Sequence, residues 1–245
     1  IPGGIPDRPT VYTTLSPGAS AVQISEAIRD CPTGQVVYLG AGTYNLGSSV
    51  KFCSKDGVTL RGAGPGRTVI NSSVSGAAIT TEQWGFDAGV PIAGGYVKGS
   101  TVITFSSEPV DFFVGRLILI DQDDDTSFIM ATDGPSRHLS TVHRITGILG
   151  NALTIAPPLP YTFSVELNPK AACCRGAGAT LCGIEGMTVN STAGANEIIS
   201  FYYADRCWVK DVETYNSGNS FIFAVKSLQC EFRRGYHHHA EGSPS

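Results

Sequence analysis

Three short segments of the chain can be laid over one another: Cys182-Gly183-Ile184, Cys207-Trp208-Val209 and Cys230-Glu231-Phe232. Their cysteines lie 25 and 23 residues apart, and Asn190 and Asn216, 26 apart, follow the first two segments at a similar offset. Asn71, after GVTLRGAGPGRTVI, holds the same place relative to its own strands. A period of roughly 20–50 residues marks a solenoid or an array. The spaced leucines of a leucine-rich repeat are absent, and so are the long 3.6-period runs of helical repeats. What remains is short β runs separated by Gly and Asn corners, the pattern of a parallel β-solenoid.

The rest of the chain fits around that repeat. Residues 1–20 are rich in Pro, Gly and Ser and read as an extended lead-in. Ile24, Ala27, Ile28 and Cys31 fall at i, i+3, i+4 and i+7, one apolar face of a short helix. Ser20 can cap its start, and Pro32 and Gly34 stop it. A helix this short buries a single stripe and must lie on something, so it is expected as a lid over the strands that follow. Those begin with Val36 to Leu39, closed by Gly40 and Gly42, and continue through residues 51–71. Between residues 96 and 169 the strands lose rung spacing: Val102, Ile103 and Phe105, then LILI at 117–120, then HRITGILGNALTI with Gly150-Asn151 as a hairpin turn. This block is expected as an inserted β module, dividing the chain into 1–95 (cap and first rungs), 96–169 and 170–245 (further rungs).

Composition narrows the class. Charged residues make up 16% of the chain, against roughly 25% in an average domain, and there are 29 Gly, which suits an all-β protein full of turns. The net charge of −4 gives no basic field, so nucleic acid is not an expected partner. No run of 18 apolar residues occurs, so no membrane span is expected. Seven cysteines, an odd number with no C-x-x-C spacing, read as mostly buried thiols.

The lid followed by VVYLGAGTYNL, then GVTLRGAGPGRTVI, then coils of 23 to 26 residues, resembles the right-handed parallel β-helix proteins of the pectate-lyase-like superfamily. The resemblance covers residues 20–93 and 171–245; the 96–169 block is similar to a β insertion in bacterial members. It implies an all-β, right-handed parallel β-helix with an N-terminal helical cap. It also implies a secreted or cell-surface, carbohydrate-active protein: a polysaccharide lyase or glycoside hydrolase acting on an acidic polysaccharide. The alternative is a non-catalytic adhesin, tailspike or structural solenoid, because fold does not choose function. The chain starts at Ile1 without a charged-then-apolar leader, as in a mature form or fragment, and stops straight after a rung. Since solenoids need capped ends, it is expected to be truncated or covered there.

Alternation then proposes a site. If the cysteines and Ile184, Val209 and Phe232 point inward, two outward rows are Gly183, Trp208, Glu231 and Glu185, Lys210, Arg233. An exposed Trp208 beside Glu185, Glu231 and cations suits an acidic sugar chain, whose rings stack on aromatics and whose carboxylates meet Lys or Arg. The bland reading is a solvated face of weak ion pairs. The resemblance implies a cationic base, Lys210 or Arg233, with Ca²⁺ a possible cofactor. A hydrolase needs paired carboxylates, for which Asp205, Asp211 and Glu213 are available. His237 and His239 are expected on one side as acid or base candidates, with no third ligand to make a metal site. The acidic run at 121–125 lacks the Gly and Glu of an EF-hand at Thr126 and Thr132 and reads as a solvated loop. Asn71, Asn190 and Asn216 are expected as a stacked structural row at a coil corner.

Overall fold

The computed structural model describes residues 1–52, 54–81, 85–125, 127, 136–176 and 178–240. Cys53, Thr126, Thr132 and residues 241–245 lie outside them. Two compact units emerge, one of residues 1–83 and 178–245, the other of residues 84–177.

The first unit is a parallel β-solenoid. Strands Val36–Leu39, Thr59–Gly62, Gly183–Ser191, Trp208–Ser217 and Glu231–Arg233 pair in parallel, one rung on the next. A second run of the same sheet pairs Gly42–Leu46, Thr68–Ser72, Gly183–Ser191, Trp208–Ser217 and Tyr236–Ala240. A separate parallel sheet joins Val50–Phe52, Ile79–Thr81, Glu197–Tyr202 and Ser220–Val225. The register puts one apolar residue above another: Val37, Leu60, Ile184, Val209 and Phe232 form one inward column, and Val50, Ile79, Ile199 and Ile222 another. Cys182 and Cys207 join this interior fully buried as free thiols. Cys230, on the last rung, is half-buried, because a buried position needs a rung on both sides.

The corners repeat as faithfully as the strands. Gly34, Gly57, Leu181, Arg206 and Gln229 each stand two residues before a paired position and each has a left-handed backbone. Gly186, Asp211 and Arg234 form a second left-handed column, at a bend inside the long strands. The asparagine row is a hydrogen-bonded ladder. The Asn71 amide donates to Asn45 (3.2 Å), Asn190 to Asn71 (3.1 Å) and Asn216 to Asn190 (2.8 Å). Helix Ala21–Asp30 begins with a capping box between Ser20 and Gln23 and buries Ala21, Ile24 and Ile28 against the solenoid interior.

Among the described residues, the second unit is an antiparallel sheet of six strands with its own core, including Ile103, Phe105, Ile118, Ile145, Leu153 and Phe163. Its hairpin joins Ser140–Leu149 to Ala152–Ala156. It also takes in Val90–Pro91 and Lys170–Cys173, so this unit runs wider than 96–169. In the acidic loop, Asp121 meets Arg137 (2.7 Å), and Asp124 accepts from Ser136 (2.5 Å), which holds its carboxyl below the usual range.

Candidate functional site

The outer surface of the solenoid's first sheet has two parts. Over Thr59, Arg61 and Trp208 lies the lead-in segment, anchored by Arg8. Its guanidinium donates to Thr59 Oγ1 (3.0 Å) and to the Leu181 carbonyl (2.7 Å) and lies over the Trp208 ring, 4.9 Å from its centroid. Arg61 Nη1 donates in turn to the Arg8 carbonyl (3.0 Å). Trp208 beneath is 0% exposed. Its indole lies where a side chain on Gly183 would be: a Cβ there would stand 2.2 Å from the ring. Glu185 closes the network, accepting from Trp208 Nε1 (2.7 Å) on one oxygen and from Arg61 Nε (2.7 Å) on the other. Burial lowers the pKa of Arg8.

The second part holds the outward residues of 213–215 and 236–239. The Tyr215 and His238 rings stack at 5.2 Å and 9°, and Tyr236, 64% exposed, leans on His238 at 4.6 Å. Glu213 sits between strands. Its Oε2 accepts from the Thr188 hydroxyl (2.6 Å), its Oε1 faces His238 Nε2 (3.1 Å), and these hydrogen bonds hold its carboxyl below the usual range. His238 Nδ1 meets His239 Nδ1. At the bend before this patch, Arg234 grips Asp211 with two bonds of 2.5 and 2.6 Å, keeping the Asp211 carboxyl ionised.

No family model and no curated protein sequence matches the chain. Solved structures do. The tailspike protein gp49 from Pseudomonas phage LKA1 matches at TM-score 0.60 with 15% identity, covering 84% of this chain and 33% of that one. The chain is a parallel β-helix. The Pseudomonas phage phi297 tailspike gp61 matches at TM-score 0.49 and 12% identity, over 89% of this chain and 44% of that one. The PL6 family alginate lyase AlyGC matches at 0.38 and 13%, over 93% and 21%. The chain therefore spans about a third of the length of the LKA1 tailspike.

The β-helix puts Gly183, Trp208 and Glu231 in one outward row and Glu185, Lys210 and Arg233 in the next. Two of these side chains are nevertheless out of a ligand's reach. Trp208 and Glu185 are buried under the lead-in segment, which corrects their expected role as a sugar platform. Glu231 pairs with Arg233. Lys210 is half-buried, and its side chain makes no hydrogen bond or ion pair among the described residues although it acts electrostatically on Asp211. Asp205 is buried and bound by Arg206. His237 and His239 do not share a side. His237 faces the inner side of the open last rung, its Nδ1 2.6 Å from Thr214 Oγ1 and its ring stacked on Phe221; the residue stays exposed, and partial desolvation lowers its pKa. His239 has φ of 56°, so strict alternation ends there. The outward histidine is His238. Sequence reasoning passed over Tyr215 and Tyr236, although counting two residues either way from Glu213 and His238 along each strand would have found them. Among the described residues, no group of three or more His, Cys, Asp or Glu is arranged to hold a metal, and no helix is long and apolar enough to cross a membrane.

Proposed function

We propose that this β-helix belongs to a secreted or surface-exposed protein that binds an acidic polysaccharide along the outer face of strands Trp208–Ser217 and Tyr236–Ala240. The observation that carries the reading is the bare patch itself. An exposed Tyr236 and a Tyr215–His238 stack offer sugar-sized flat rings, and Lys210, one bend away on the same outer side, is a cation beside Asp211 with no side-chain ion pair among the described residues. Rings take the apolar faces of a pyranose, and an unpaired ammonium takes a uronate carboxylate. A hydrolase pair finds less support, because Asp211 is held by Arg234 and Glu213 is engaged by Thr188 and His238. The fold shared with a phage tailspike fits a surface location.

The test is a glycan array followed by calorimetry on the polyuronates that bind. Tyr236→Ala should weaken binding by about 1–3 kcal/mol, the scale of one large side chain leaving an interface. Lys210→Ala should weaken uronate chains and leave neutral chains alone. Undiminished affinity in both variants would remove this patch as the sugar surface.

A further inference from the structure

We propose that Cys207 and Cys230 hold a soft divalent d10 cation between them, as two collinear thiolates on successive rungs. The site lies on the inner side of the sheet and does not depend on the polysaccharide reading of the outer face.

The cysteines share one column. The Gly183 N–H donates to the Val58 carbonyl (3.0 Å), that of Trp208 to Cys182 (3.0 Å) and that of Glu231 to Cys207 (2.9 Å). Val58, Cys182, Cys207 and Cys230 therefore stand one above another. The three thiols also repeat one side-chain pose. Each faces the carbonyl two residues before it, and a carbonyl of the coil below, three residues before the residue it stacks on. Cys182 Sγ meets Thr180 (3.5 Å) and Lys55 (3.0 Å). Cys207 Sγ meets Asp205 (3.6 Å) and Ala179 (3.3 Å), and Cys230 Sγ meets Leu228 (3.7 Å) and Ala204 (3.6 Å). Side chains in one pose are displaced by the rung repeat itself, so successive sulfurs lie ~4.8 Å apart.

That spacing decides what the column can do. It is more than twice a disulfide bond of about 2.05 Å, and all three residues are free thiols. It matches two metal–thiolate bonds of about 2.3 Å laid end to end. A straight column does not gather four donors round one ion, as zinc requires. It places two sulfurs on opposite sides of a gap, which suits a soft ion satisfied by two thiolates. Access selects the gap between Cys207 and Cys230: Cys182 and Cys207 are fully buried, whereas Cys230 is half-buried. The exchange balances without a redox partner. Each S–H releases its proton to solvent, and each thiolate gives an electron pair to the ion. A divalent ion and two thiolates are neutral together, so the interior takes on no net charge. The charged groups acting on the column are also matched: Arg8 and Asp56 at Cys182, Asp205 and the Ile1 ammonium at Cys230.

The probe is mercuric chloride, titrated into the reduced 245-residue chain. About a tenfold excess of β-mercaptoethanol over the ion strips what single thiols hold, while a preset pair keeps its ion through effective concentration. Native mass spectrometry counts the ions, and X-ray absorption counts the sulfurs round them. We expect one retained ion per chain with two sulfur neighbours, and no retention of Zn(II). Cys207→Ala and Cys230→Ala should each weaken retention about 100-fold or more, as for losing half of a linked pair. Cys182→Ala removes an equally buried thiol from the same column and should leave retention unchanged, which separates loss of a ligand from loss of packing. Should Cys207→Ala unfold the chain, Cys230→Ala on the half-buried last rung decides alone. No ion held against β-mercaptoethanol, undiminished retention in Cys230→Ala, an equal loss in Cys182→Ala, or three or more sulfurs at the ion would each overturn the site.

Discussion

The covered and bare parts of one sheet surface differ in a single respect. Both present outward side chains in register, rung on rung, and both carry an aromatic residue. Over Trp208 the chain has laid Arg8, and the indole has become as buried as any core residue. Over Tyr236 nothing lies among the described residues, and the ring stays 64% exposed. Alternation along a strand decides which side of the sheet a residue faces. Whether that side meets water is decided by distant sequence. An outward aromatic in a β-helix is therefore either a packing element or a contact surface, and only its cover tells which.

The sharpest way to break this comparison is a matched pair of truncations. Trp208→Ala should cost about 3–5 kcal/mol of stability, the range for a large buried aromatic. Tyr236→Ala should stay within about 0.5 kcal/mol, as for an exposed site. Denaturant melts that gave equal losses would erase the distinction. A step smaller, Gly183→Ala should cost about 1–3 kcal/mol, since its Cβ would collide with the indole and force the buried stack apart. The lead-in segment can be tested by Arg8→Met, which removes its hydrogen bonds to Thr59 and Leu181. About 1–3 kcal/mol should be lost, with a red shift of Trp208 fluorescence as water reaches the ring. An unshifted spectrum would mean that Arg8 is not what holds the cover. The smallest effect is expected from His237. Its folded pKa is depressed by partial desolvation and by the neighbouring His238, so the unfolded chain takes up the proton first. Stability should therefore fall as pH drops through the ordinary histidine value of about 6.5. His237→Phe should make that fall shallower, and an unchanged slope would show that His237 contributes nothing to it.

Much of this was legible in the sequence because it depends on period alone. The offset of Cys182, Cys207 and Cys230 from Ile184, Val209 and Phe232 gave the rung pairing, and the asparagines gave the ladder. Two things were not legible. The lead-in segment has neither apolar period nor charge pattern, so nothing in its residues says that Arg8 lands on Trp208. The bends at Asp211, Arg234, Asn216 and His239 are left-handed without being glycine. They shift the alternation where no Gly signals it, which is why the outward histidine is His238 and why Asp211 ends in the grip of Arg234.

The asparagine ladder has a consequence for how the chain folds. Most of its steps join residues 26 apart, yet the step from Asn71 to Asn190 joins residues 119 apart, with the whole second unit between them in sequence. Loop closure grows only with the logarithm of length, so as a flexible loop that step costs about 1.3 kcal/mol more than an ordinary rung. The thermodynamic burden is small, and the kinetic one is larger. The rungs up to Thr81 leave an unpaired edge until residues 183–202 have been made, and long-range parallel pairing is intrinsically slow. During that interval an open strand edge is exposed, and folding of the intervening unit on its own, which shortens the effective loop, sets how long the edge waits.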